Sequence, residues 1–271
     1  MREKGMIAKL KTRTALLVAG VVFFITAGFS CVPIRAKGDG KWGVISSYTT
    51  YFNEKEVGRV ENIKIAALLI DKITVQAYGE FSFNKTVGRR TADAGFKQAK
   101  IIVNGEYVQG VGGGVCQVSS TLYNAVLKSG LTVTEFHPHS LRVGYIPPSR
   151  DAMVSTESDF CFFNPFDFPV RLSAVTFDGG IKIAVLGKGD GKRYELCSSV
   201  LEELLPPEPI VKEEEGAEEE TYLRAPKKGM KSELYLETYA GNVLLARKRL
   251  RADVYMPVQG IIIKKNDKPT N

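Results

Sequence analysis

The sequence predicts an α+β fold: a mostly antiparallel sheet packed with a buried helix that carries Cys116, followed by a small β-rich C-terminal module. Three observations point there. Short β-forming runs alternate with turn signals along most of the chain. One apolar stretch just after a run of glycines repeats at helical spacing. The 271 residues are 44% hydrophobic and 25% charged, an ordinary globular composition. That composition excludes wholesale disorder and a collagen-like fibre, and the length is ample for a buried core.

In chain order, Gly43–Asn53 reads as an extended segment. Val60, Ile63, Ala67 and Ile70 predict a helix over Val60–Ile70 with one buried face. Lys72–Gln76 and Phe81–Asn84 are short strands around a turn at Gly79. Lys100–Val103 and Tyr107–Val111 flank Asn104-Gly105, a strong hairpin signal. After Gly112-Gly113-Gly114, residues Val115, Val118, Leu122, Ala125 and Val126 follow helical spacing, and Gly130 is the natural stop. Lys128 is the only charge between Glu106 and Glu135, so this helix is expected to be largely buried. Leu131–Phe136 and Leu141–Tyr145 are expected strands on either side of His137-Pro138-His139-Ser140, with a turn over 147–151. Asp159–Phe163 is extended, and Val170–Phe177 with Ile181–Leu186 forms a second hairpin. Glu233–Tyr239, Val243–Arg249 and Ile261–Lys265 are the strands of the C-terminal module.

The net charge of +7 is unevenly spread. Residues 1–41 sum to +6, 42–200 to +2, 201–220 to −8 and 221–271 to +7. The centre has no basic stripe interleaved with aromatics, which argues against nucleic acid as a partner. In the first segment, Arg2, Lys4, Lys9, Lys11 and Arg13 precede an uncharged apolar run over residues 14–34. At about 1.5 Å per residue such a run spans about 30 Å, a bilayer core. The basic flank holds the N-terminus in the cytoplasm, so the rest is expected outside it. An uncleaved membrane anchor or a signal peptide fits best. Acylation at Cys31 is the weaker alternative, because Gly28 and Phe29 stand where a lipobox has small aliphatic residues. Residues 201–220 hold nine glutamates and one lysine, the composition of a solvated linker. The expected organisation is therefore 1–41 flank and anchor, 42–198 main domain, 199–222 acidic linker, and 223–271 β-rich module.

Two histidines exclude a three-histidine zinc site, and cysteines spaced 85, 45 and 36 residues apart exclude paired CxxC knuckles. No metal or cofactor is expected. Cys116 sits where a nucleophile is favoured. Free backbone N–H groups and the positive end of a helix dipole stabilise a thiolate there. The N–H groups around Gly113, Gly114 and Val115 are also placed to hold an oxyanion. His137 and His139 are the two available bases. The bland reading is a small packed thiol, a tight glycine turn and strand-capping histidines. Cys161 and Cys197 either form a disulfide or remain isolated thiols.

FSFNKTVGRRT (81–91), GFKQAKIIVNGEYVQGVGGGVCQVSSTLYNAVLKSGL (95–131), HPHS (137–140), Tyr145, Asp151-Ala152 and DFCFFNP (159–165) together resemble the VanW-domain family over roughly residues 44–188. The family takes its name from vancomycin-resistance clusters, and some members act as cysteine L,D-transpeptidases. The resemblance implies peptidoglycan stem peptides as partners and Cys116 as nucleophile. His139 is the better base and His137 the second. Ser140, Asp151 or Asp159 would orient the base. Gln117, Ser120 and Tyr123 share the helix with Cys116 as substrate-side candidates, and Arg89, Arg90, Arg142 and Arg150 are candidates for stem carboxylates. Non-catalytic recognition of a stem peptide or glycopeptide, and hydrolysis by the same thiolate, are the alternatives.

Overall fold

The structure, a computed structural model, describes residues 42–103, 105–214 and 221–265. The expected anchor over 14–34, Cys31, the hairpin residue Asn104 and the most acidic part of the expected linker, 215–220, lie outside the described residues. In chain order the elements are β1 (Gly43–Tyr51), α1 (Val57–Ile70), β2 (Thr74–Val75), β3 (Glu80–Ser82), α2 (Phe83–Val87), β4 (Gln98–Val103), β5 (Glu106–Val111), α3 (Val115–Leu127), β6 (Thr132–Glu135), β7 (Cys161–Phe163), β8 (Val170–Phe177) and β9 (Gly180–Gly187). The C-terminal part adds β10 (Arg193–Leu204), β11 (Ile210–Glu214), β12 (Thr221–Arg224), β13 (Gly229–Ala240), β14 (Val243–Tyr255) and β15 (Ile261–Lys265). No described helix is long and apolar enough to cross a membrane.

The architecture is α+β and mostly antiparallel. A four-stranded sheet runs β1-β9-β8-β2, a small sheet runs β3-β7-β6, and β4 pairs with β5. α3 lies against β1, where Ser46 Oγ donates to Ala125 O at 2.6 Å and the Thr50 and Thr121 hydroxyls meet at 2.7 Å. Its burial is nearly complete: Val118, Leu122, Ala125 and Val126 are inaccessible, and so are its polar Ser119, Ser120, Thr121 and Asn124. A helix this buried must satisfy every hydroxyl internally, and each of these side chains bonds to a backbone carbonyl or another side chain. α1 buries Ile63, Ala66, Ala67 and Ile70 on one face, as its spacing predicts.

Leu141–Tyr145 is not a strand. It belongs to an irregular stretch between β6 and β7. Leu141 and Val143 are buried while Arg142 and Gly144 are exposed, so the alternation that resembles a strand is real. No neighbouring strand pairs with it among the described residues, and without a ladder the alternation makes a packed loop. Phe83 likewise leaves the expected strand to open α2, with Ser82 Oγ accepting from the Lys85 N–H at 3.1 Å as its cap.

The described part of the acidic stretch expected as a linker is also largely strand. β10 continues through Glu202 and Glu203 to Leu204, and β11 follows within a few residues. Its negative charge is met across the sheet by the basic tail: Glu202 faces Lys231 and Glu203 faces Lys228, each at 2.7 Å. Exposed pairs like these are worth little singly, about 0–1 kcal/mol, but they favour the register of β10 on β13. The sheet β10-β13-β14 is antiparallel, and β11-β15-β12 contains one parallel pair, β11 with β15. Leu234 of β13 is inaccessible and belongs to the same apolar cluster as Leu122 and Phe160, so the core runs on into the C-terminal strands.

Candidate functional site

The glycine run before α3 has a specific steric role. Gly114, the residue preceding the first helical turn, has φ +106°, a left-handed conformation that side chains rarely adopt. At Gly113 a Cβ would lie 2.6 Å from the Lys100 carbonyl oxygen of β4. The run is held from behind by Asn62 of α1. This buried amide donates to the carbonyls of Lys97 and Gly113 at 2.9 Å each and accepts from the Lys97 N–H at 2.7 Å. Nothing in the sequence pattern marks Asn62 beyond its being a polar residue on the buried face of a helix.

This support leaves Cys116 as the second residue of α3, half-buried at the wall of a cleft of about 890 Å³. Arg59, Arg90, His139 and Tyr145 also line it. The Cys116 thiol donates to Val154 O at 3.3 Å and accepts from the Val154 N–H at 3.5 Å. Val115 N–H is used by Gly112 O at 3.2 Å, and Gln117 N–H by Gly114 O at 2.9 Å. The N–H groups of Gly114 and Cys116 have no partner among the described residues, so these two, and not Val115, are placed for a developing negative charge.

The two histidines part company. His139 is buried, and its Nδ1 lies 2.7 Å from Asp151 Oδ2; its backbone N–H donates to the same oxygen at 2.7 Å. Its remaining ring nitrogen is unpaired among the described residues, and His139 and Cys116 line the cleft together, where each shifts the other's charge state. His137 turns to Glu135, with Nε2 2.9 Å from Oε1, and does not line the cleft. The fold therefore does not bring it to Cys116.

The electrostatics follow from these contacts. Burial alone would raise the Cys116 thiol. The neighbouring His139 ring and its charge, the Val154 backbone and Arg90 together bring it below its ordinary value. Burial would lower His139, but Asp151 and Cys116 push it up to about 9. Burial would likewise raise Asp151, yet His139, Arg251 and Tyr255 hold it down to about 2. The three groups thus favour a thiolate, an imidazolium and a carboxylate in a row. The other described cysteines move the opposite way. Burial, then Asp159 and Glu135, pushes Cys161 up to about 12, and burial followed by Glu237 raises Cys197. Both are free thiols, so the possible Cys161–Cys197 disulfide is absent.

Several other candidates serve structure. Gln117 is buried and fully engaged: its Oε1 accepts from Arg59 at 2.7 Å, and its Nε2 donates to Tyr51 O at 2.9 Å. Ser120 donates to Cys116 O at 2.7 Å and accepts from the Ala152 N–H at 2.9 Å. Tyr123 lies in the core against Phe136 and Phe160. Asp151 is 1% exposed and does not meet the cleft; of Ser140, Asp151 and Asp159, it is the one hydrogen-bonded to the His139 ring. Asp159 instead accepts from Ser82 and the Asn84 N–H at the start of α2. Ser140 holds Met256 through its carbonyl at 3.0 Å. Arg142 is exposed away from the cleft, and Arg150 bonds Asn124 and covers Tyr48. Arg90 lines the cleft but donates to Asn84 at 2.6 Å. Arg89 lines the cleft with its guanidinium unpaired among the described residues.

The residues missed by sequence reasoning sit on β14. Arg251 Nη1 donates to Asp151 O at 2.6 Å, and the Tyr255 hydroxyl donates to Asp151 Oδ1 at 2.5 Å. A signal was present: Arg251, Asp253 and Tyr255 alternate, which puts three polar side chains on one strand face.

Residues 58–186 match the protein family described as VanW like protein. The chain is similar to the Bacillus subtilis protein named Uncharacterized protein YoaR, 44% identical over 142 residues, covering 52% of this chain and 47% of that protein. It is also similar to the Vancomycin B-type resistance protein VanW of Enterococcus faecalis, 29% identical over 84 residues, covering 31% of this chain and 30% of the other. The chain thus spans less than half the length of either relative. Among solved structures, the crystal structure of HP0197-G5 matches 27% of this chain and 93% of its own at 16% identity and a TM-score of 0.16, too weak to carry an argument.

Proposed function

We propose, from the match of residues 58–186 to the family described as VanW like protein, that this chain is a cell-envelope cysteine acyltransferase that acts on peptidoglycan stem peptides, an L,D-transpeptidase forming 3→3 cross-links. The observation that carries the reading is Cys116 and His139 together at the wall of an open cleft, with Asp151 buried behind His139 at 2.7 Å. A relative named for vancomycin resistance is consistent with an envelope peptide as the target. In this reading the apolar run at 14–34 anchors the chain with the domain outside the cytoplasm.

The chemistry balances with this chain's own groups. The Cys116 thiolate attacks the carbonyl carbon between the third residue and the terminal D-Ala of a tetrapeptide stem. The oxyanion forms beside the Gly114 and Cys116 N–H groups. The C–N bond then breaks, and His139 gives its proton to the departing D-Ala amine, leaving a thioester on Sγ. The side-chain amine of a neighbouring stem attacks the thioester carbonyl and gives its proton to His139. The new amide forms and the thiolate leaves. Arg89 is the guanidinium free to receive a stem carboxylate. The thiol's two contacts with Val154 are released when it attacks.

The test compares wild type with Cys116→Ala on purified tetrapeptide muropeptides, with products identified by mass spectrometry. A 3→3 dimer from wild type alone is the expected result. Equal dimer from both proteins removes the proposal. Free tripeptide as the sole product assigns the thioester to water and makes the activity hydrolytic.

A further inference from the structure

The carboxylate that orients His139 is held from the far end of the chain. On β14, Arg251, Asp253 and Tyr255 are buried while Ala252 and Val254 between them are exposed, so one face of the strand turns inward. That face meets Asp151. Arg251 reaches the Asp151 carbonyl at 2.6 Å and Oδ1 at 3.5 Å, and its Nε is fixed by Asp253 Oδ2 at 2.7 Å. The Tyr255 hydroxyl donates to Oδ1 at 2.5 Å and accepts the Ser149 N–H at 2.8 Å. The two oxygens of Asp151 therefore have separate tasks: Oδ2 takes the ring and backbone of His139, and Oδ1 takes Tyr255 and Arg251. A buried carboxylate with a free oxygen would turn toward the nearest donor or protonate.

We propose that Arg251 and Tyr255 are positioning residues for the Cys116–His139–Asp151 set, fixing the Asp151 carboxylate so that Oδ2 points at His139 Nδ1 and the opposite ring nitrogen faces Cys116. Both residues lie beyond the matched span of 58–186, so the site is completed by strands outside it. The proposal rests on the acyl-transfer reading of the cleft and adds to it where the site is made rigid. The charged and titratable groups around the set are Cys116 and Tyr123 from α3, Arg90 after α2, Tyr145 in the loop before Asp151, and Arg251, Asp253 and Tyr255 from β14.

The experiment uses full-length protein and needs no substrate. Alkylation of Cys116 by iodoacetamide is followed across pH in wild type, Tyr255→Phe and Ser232→Ala, with near-ultraviolet circular dichroism as the folding control. Tyr255→Phe keeps the ring and removes the donor that fixes Oδ1, so the carboxylate can turn and its Oδ2 contact with His139 weakens. The less well paired thiolate then takes up its proton at a higher pH. The acid limb of the profile should move up by about 0.5–1 pH unit, with alkylation near pH 6 slower by about 3–10-fold. Ser232→Ala breaks a different contact between the same two regions, its 2.8 Å bridge to Ser149 Oγ, and should leave the profile in place. Superimposable profiles for wild type and Tyr255→Phe overturn the proposal, as does an equal shift in both variants, since loosening alone would then suffice. If Tyr255→Phe does not fold, Arg251→Lys carries the same readout, keeping a cation but losing the fork. A wild-type Cys116 that titrates as an ordinary thiol removes the acyl-transfer reading as well, so the two failures are distinguishable.

Discussion

The part of the chain from β1 to β9 and the strands from β10 to β15 bring different residues to the same place. The first part lines the whole cleft: Cys116, His139 and the arginines at 59, 89 and 90 all come from it. Among the described residues the second lines none of the cleft, yet Arg251 and Tyr255 make some of the shortest buried contacts to Asp151. The two meet at a carboxylate that has an oxygen for each. The contrast teaches that the groups able to react are gathered within about forty residues of sequence, whereas the groups that hold them still come from about a hundred residues further on.

Substitutions at the junction sharpen that contrast. The largest effect is expected at Cys116→Ala, with dimer yield falling by about a thousandfold or more, to background. Asp151→Asn keeps the shape but favours the wrong His139 tautomer. It should lower kcat/KM by about 10²–10⁴-fold, and an amide facing Arg251 should also lower the denaturant midpoint. Leu234→Ala tests the other side. It opens a cavity under β13 and should cost about 2–5 kcal/mol in denaturant unfolding, while the pH profile of Cys116 alkylation stays put. A profile that shifts would break the division between packing and positioning.

The pH dependence has a definite sign. His139 is raised to about 9 in the folded chain, so its stabilising contribution is fully present below its ordinary value and is lost as pH rises through about 9. Asp151 is lowered to about 2, so its contribution is present above the ordinary carboxylate range and is lost as pH falls toward about 2. Acyl transfer should therefore decline on the alkaline side near pH 9, where His139 no longer has a proton for the leaving amine. Initial rates across pH measure this directly. The smallest effects are expected at His137→Ala and Arg142→Ala, each within about threefold of wild-type rate, because neither residue lines the cleft.

Much of the cleft side is legible in the sequence. α3 announces itself through apolar spacing, a near absence of charge and a glycine at each end, and Cys116 falls in its first turn. Residue type and spacing alone do not choose between His137 and His139; the family resemblance ranks His139 first, and the folded loop brings Asp151 to His139 and Glu135 to His137. The alternation over Leu141–Tyr145 is visible too, but pairing belongs to a neighbour that sequence periodicity does not supply. β10 is hidden for an electrostatic reason. Its glutamates suit a solvated segment until Lys228 and Lys231 stand across from them. The inward face of β14 was readable as alternating polar residues, but its target, a hundred positions away, was not.

The length of that reach sets an order of events during synthesis. The cysteine and the histidine emerge from the ribosome well before the strand that steadies Asp151. The Oδ1 side of that carboxylate closes only after Tyr255 has been made. A truncated or stalled product retains the thiol and the imidazole but lacks the clamp. Whatever reactivity depends on the clamp is thereby withheld from incomplete chains.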